Sequence, residues 1–169
     1  MDVFDAVRTV LAVRQYDDRP IPDETVRRIV ESAHLTGSSK NGQPWHFVIV
    51  RDRDTLQRLS KLTTTGPYVA QAPLAVVVAY EKESPYGVSD ISRAIQSMVL
   101  TAWADGIGSN WVGFTGMDAV REMFGIPDTY DVPAVLPFGY PAQAAGKGKK
   151  RRKLLGEVVS AERFGQAFG

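Results

Sequence analysis

Residues 74–80 read LAVVVAY, with nothing polar before the tyrosine. A short, β-branched run of this kind is a strand. A strand with one wet face alternates apolar and polar side chains. This one does not, so it belongs at the centre of a sheet with cover on both faces. The best source of cover is residues 88–105, where Ile91, Ala94, Ile95, Met98, Leu100, Ala102 and Trp103 make a helix apolar around much of its girth. Gly106 is placed to stop it. Asp23 is placed to cap a second helix with Val26, Ile29, Val30 and Ala33 on one face. Val3, Phe4, Val7, Val10 and Leu11 fall at helical spacing over residues 2–12, and shorter helices are expected over 54–62 and 118–124. Further strands are expected at 46–50, as a buried strand, at 109–114, and at the proline-interrupted 132–140. Turn-forming stretches at 14–22, 36–44, 66–73 and 81–87 separate them. Helices and strands mix without strict alternation, and no repeat or linker interrupts them. This predicts an α+β fold, a sheet packed with helices, in one domain over residues 1–169.

The chain can support such a core: 44% of its 169 residues are hydrophobic and 23% charged, which is not the composition of a disordered chain. No apolar run approaches a membrane span. The opening Met1-Asp2-Val3-Phe4 lacks a basic region followed by an apolar stretch, so no signal peptide is expected. The chain has no cysteine, which removes disulfides, thiolate metal sites and cysteine nucleophiles and fits a cytoplasmic protein. The net charge of +1 hides an asymmetry. Lys147, Lys149, Lys150, Arg151, Arg152 and Lys153 crowd six of the twenty basic residues into seven positions, and the remaining fourteen are outnumbered by nineteen acidic ones. A mildly acidic body thus carries one strongly basic segment, and such a segment attracts an anion.

Side-chain catalysis is poorly supported. His34 and His46 have no carboxylate spacing for a metal site, so none is expected, and no serine-hydrolase elbow, Walker loop or dinucleotide fingerprint is present. Two polar features stand out. The loop Gly37-Ser38-Ser39-Lys40-Asn41-Gly42-Gln43-Pro44-Trp45 gathers donors and acceptors beside an aromatic ring, which suits a planar heterocycle as well as an ordinary turn. Lys150-Arg151-Arg152, with Arg14, could cradle a phosphate; a solvated linker or a nucleic-acid-binding tail are the alternatives.

Taken in order, these segments resemble the FMN-dependent nitroreductase family. The carriers of the resemblance are VRQYDDRPIPD near the N-terminus, SSKNGQPW at 38–45, Gln71-Ala72-Pro73 before the Val-rich strand, the helix DISRAIQSMVLTAWADGIGS at 90–109, and KKRRKLLGEVV at the end. The resemblance implies a central, mostly antiparallel sheet packed with helices. It also implies a homodimer with FMN at the subunit interface, a C-terminal segment exchanged across the dimer, and a strand following the basic run. Carried over by residue, Arg14 meets the flavin N1/O2 edge. Ser38, Ser39, Asn41 and Pro44 meet the ring from the other subunit. The backbone at Gly113 and Phe114 meets the N5/O4 edge, and Lys150 and Arg152 hold the phosphate. Tyr68, Tyr86 and Phe114 are candidates to line the substrate face. NADH or NADPH would pass a hydride to flavin N5, and a nitroaromatic or quinone-like acceptor would then collect the electrons in a ping-pong cycle, with no side chain as catalytic acid or base. Neither nucleic acid nor membrane is implied as a partner. The chain departs from the family where Val10-Leu11-Ala12 replaces the usual Arg-Arg-Ser that contacts the phosphate; Arg8 or the dense basic run are the possible substitutes. A relative that has exchanged FMN for another flavin-like ligand is the alternative.

Overall fold

The computed structural model describes residues 1–63, 65–113, 117–143 and 150–168. In chain order its strands are β1 (Trp45–Val50), β2 (Leu74–Glu81), β3 (Gly108–Ser109), β4 (Val112–Gly113) and β5 (Tyr130–Gly139). The helices are α1 (Val3–Thr9), α2 (Asp23–His34), α3 (Arg53–Leu62), α4 (Gly87–Ala104) and α5 (Asp118–Met123). The strands form one sheet in the order β1-β2-β5-β3, with β4 also on β5, and every strand pair is antiparallel.

The LAVVVAY run sits where its composition demands. Val76 lies between Ile49 of β1 and Leu136 of β5. Leu74, Val76 and Val78 pack with Leu136 and Phe138 against Ile29 of α2 and Ile95 and Met98 of α4. On the opposite face, Ala75, Val77 and Ala79 pack with Val135 against Leu56 and Leu59 of α3 and Val120 of α5. Each of these large side chains contributes about 1.5–3 kcal/mol by leaving water. The two-layer cover explains a continuous apolar strand in an antiparallel sheet. Helix α4 ends as its sequence suggests: Gly106 adopts φ +78°, and Ile107 N–H turns back to the Ala102 carbonyl at 2.9 Å.

Several boundaries differ from the sequence reading, each for a local reason. Helix α1 stops at Thr9 rather than reaching 12, because Val10 turns extended (ψ 132°) and the chain joins the sheet instead. Ala12 bridges Ser109 in parallel, and Val13 N–H donates to the Ser109 carbonyl at 2.9 Å. Asp23 does not cap α2. Pro22 occupies that position without a side-chain bond, and the Asp23 carboxylate pairs with Arg51. Strand β1 is an edge strand, not a buried one: His46 and Ile49 are exposed while Val50 is buried. The strand expected at 109–114 is two short pieces on β5, interrupted at Asn110 and Trp111. Among the described residues no strand follows the basic run. Residues Leu155–Glu157 make a single 3-10 turn, and a lone bridge joins Ser160 to Ala167. Among the described residues no helix is long and apolar enough to cross a membrane.

Candidate functional site

The two polar features of the sequence lie at opposite ends of α4. At its N-terminal end is the loop 38–43, whose backbone is left-handed at Lys40 (φ 53°), Asn41 (φ 55°) and Gln43 (φ 48°). None is glycine, and such residues cost on the order of 1–3 kcal/mol each, so the surroundings must enforce the shape. Within the loop, Gln43 N–H donates to the Ser38 hydroxyl at 3.0 Å. From outside it, Asp90 in the first turns of α4 accepts from Ser39 N–H at 3.1 Å to each carboxylate oxygen and from the Ser39 hydroxyl at 3.2 Å. Asp90 is 1% exposed and also pairs with Arg93. Pro44 is buried, and its carbonyl accepts from Glu81 N–H at 2.8 Å, which fixes the exit into β1. The hydroxyls of Ser38 and Ser39 are thus engaged in holding the loop, while Asn41 is exposed and makes no side-chain hydrogen bond among the described residues.

At the other end of α4, the chain after α1 is laid along β3. Trp103 Nε1–H of α4 donates to the Thr9 hydroxyl at 2.9 Å, and Tyr16, buried, donates its hydroxyl to the Val13 carbonyl at 2.6 Å. Burial raises the Tyr16 phenol well above its ordinary range; nearby Tyr68 adds to this and the Arg14 charge opposes it, so Tyr16 stays a neutral donor. Between these fixed points Arg14 points outward and makes no ion pair among the described residues. It lines a cleft of about 320 Å³ with Leu11, Ala12, Val13, Pro141 and Gln143. Lys150 returns to the same end of the molecule, where its ammonium donates to the Val7 carbonyl of α1 at 2.7 Å. Desolvation, and then the Arg152 charge, lower its pKa. Arg151, Arg152 and Lys153 are exposed and meet no carboxylate among the described residues. Arg8, the nearest substitute for the missing basic residues of the N-terminal stretch, is engaged by Asp5 at 2.8 Å.

Arg14 and Lys150 are each tied to the chain at or just after α1, and the 38–44 loop lies toward the other end of α4. Thirteen residues of α4 separate Asp90 from Trp103, about 20 Å of helix axis. Gly113, at φ +140°, belongs to β4, where a Cβ would lie 2.6 Å from the Pro133 carbonyl oxygen; only glycine allows that approach to β5. Tyr68 is half-buried and accepts a hydrogen bond from Asn110, whereas Tyr86 is exposed beside the start of α4. His34 and His46 are exposed. Phe114, Lys147 and Lys149 lie outside the described residues. Sequence reasoning missed the tie between Asp90 and Ser39. Its signal is an aspartate inside the apolar stripe of a buried helix, which must find partners.

The family model described as "Nitroreductase family" matches this chain at residues 8–85 and 63–140. A protein of Methanothermobacter thermautotrophicus named "Putative NADH dehydrogenase/NAD(P)H nitroreductase" is 34% identical over 154 residues, covering 86% of this chain and 81% of its own. A protein of the same name from Archaeoglobus fulgidus is 39% identical over 144 residues, covering 80% and 83%. The solved structure of an FMN-dependent nitroreductase from Clostridium difficile R20291 superposes with a TM-score of 0.85 at 27% identity, covering 95% of this chain and 99% of that one.

Proposed function

This chain belongs to the nitroreductase family, and on that premise we propose that it is an FMN-dependent oxidoreductase using NADH or NADPH, acting as a homodimer. The observation that carries the reading is a set of cations without anions. Arg14 and the segment 150–153 are cations that form no ion pair among the described residues.

These residues fit FMN in the chemistry of their groups. The cleft beside Arg14 has apolar walls from Leu11, Ala12, Val13 and Pro141, which suits the face of a flat ring, and Arg14 supplies a charged donor at its rim. Lys150 and Arg152 would hold the phosphate through charge-assisted hydrogen bonds. Asn41 and the backbone around Pro44 would meet the ring, with Gly113 on its other edge. The loop lies about 20 Å away along α4 within one protomer, so the loop and the cations of one site would come from different subunits, with the exposed C-terminal segment reaching across. When bound, FMN would supply the two-electron redox chemistry between NAD(P)H and a nitroaromatic or quinone-like acceptor. Arg14 would place fixed positive charge where negative charge develops on the ring. The protein would contribute placement and field, not an acid or base, and neither histidine would be required.

Leu11 and Ala12 on the cleft wall favour a second reading, in which the same cleft takes another flavin-like ligand. Absorbance near 450 nm in the purified protein, with a mass measurement of the released small molecule, tests both readings. FMN and NAD(P)H-dependent bleaching are expected. A different flavin-like mass favours the second reading, and a colourless protein that takes up no added FMN overturns the first.

A further inference from the structure

We propose that Asp90 is a positioning residue: it holds the 38–43 loop in the left-handed shape that presents Asn41 to the ring. This rests on the FMN reading above and names the group that sets one half of that site. The loop's other hydrogen bonds are internal, from Asn41 N–H to the Ser38 carbonyl, Gly42 N–H to the Ser39 carbonyl, Gln43 N–H to the Ser38 hydroxyl and the Gln43 side-chain amide to the Asn41 carbonyl. Internal bonds of this kind close a turn but do not fix where the turn sits on the body. Among the described residues, the hydrogen bonds that tie residues 38–43 to the rest of the fold are the three that the Asp90 carboxylate accepts from Ser39. The carboxylate is itself immobile, being buried in the first turns of an 18-residue helix whose neighbouring positions Ile91 and Ala94 pack in the core. Arg93 locks it from the solvent side, with its own side chain 50% exposed. A carboxylate can accept from both donors of Ser39 at once. A carboxamide in the same place offers one oxygen and turns an amino group toward donors it cannot satisfy.

Three non-glycine residues held left-handed are a conformation that relaxes when its tether is cut, and Asn41 then moves with the loop. Glycine at position 40 would reach the same backbone shape without steric resistance, so it should make the tether less necessary.

The test is titration of the full-length, flavin-stripped protein with FMN and with riboflavin, which lacks the phosphate. Asp90→Asn is expected to weaken both ligands by a similar factor, roughly tenfold, and to alter the shape of the bound flavin's visible band. Lys40→Gly in the Asp90→Asn background is expected to recover part of the lost affinity, which a general loss of packing would not allow. If Asp90→Asn fails to fold, Arg93→Gln at its half-exposed site is the substitute, with a smaller loss of both ligands expected. Unchanged ring binding in the folded variant, loss of FMN alone, or no recovery on adding Lys40→Gly would each overturn the role of Asp90. Failure of the wild-type protein to bind either ligand overturns the FMN reading instead, so the two failures are separable.

Discussion

The sheet and the last described segment, residues 150–168, both carry large apolar side chains but bury them very differently. Leu74, Val76, Leu136 and Phe138 are at most 1% exposed, whereas Leu154, Leu155 and Phe164 are 76%, 64% and 104% exposed. The central strands β2 and β5 keep their large apolar side chains from water, and almost nothing in the tail is covered. Apolar groups of that size left in water lose about the stabilisation that the sheet gains from its own. The body folds on its own contacts, while the tail leaves large apolar side chains in water. In the proposed homodimer, a second copy of the chain is the surface the tail would meet.

Cutting the chain after Lys153 attacks that contrast most directly. The body is expected to keep its melting transition, while the protein becomes monomeric by light scattering and loses flavin completely. A truncated protein that remains a yellow dimer would remove the tail from assembly. Next in size is the double change Lys150→Ala with Arg152→Ala. Each charged phosphate contact is worth about 1.5–3 kcal/mol, so FMN affinity should fall at least ~100-fold by titration, with riboflavin affinity nearly unchanged. Equal losses for both ligands would place these cations somewhere other than the phosphate. The smallest expected effect is Arg14→Ala. Stopped-flow reduction by NAD(P)H should slow about tenfold, or ~1.4 kcal/mol of barrier, with a lesser change in FMN affinity. A rate equal to wild type would leave Arg14 as a wall of the cleft and no more.

The sequence was most informative where one residue type answered to one physical demand. The unbroken β-branched run fixed β2 at the centre, the broad apolar girth of 88–105 marked α4 as buried, and Gly106 marked its end. It was least informative where tertiary contacts decided the outcome. Val10 and Leu11 continue the helical spacing of Val3, Phe4 and Val7, yet the Ser109 carbonyl draws the chain into the sheet. The HFVIV run looks buried but forms an edge, because apolar composition does not say how many neighbours a strand has. In the candidate site, residue types were legible and their uses were not. Ser38 and Ser39 stand out as ligand donors in sequence, but their hydroxyls are engaged by Gln43 and Asp90, and that depends on a helix fifty residues further along.

Helix α4 carries a consequence for how this molecule can change. One end anchors the strained loop through Asp90, and the other abuts the α1 segment through Trp103. An insertion of one residue between them would lengthen the rod by about 1.5 Å and rotate one end relative to the other by roughly 100°, displacing the loop and the α1 segment relative to each other. Variation in which molecules this scaffold accepts is therefore cheapest in the surface loops, with the rod held at fixed length.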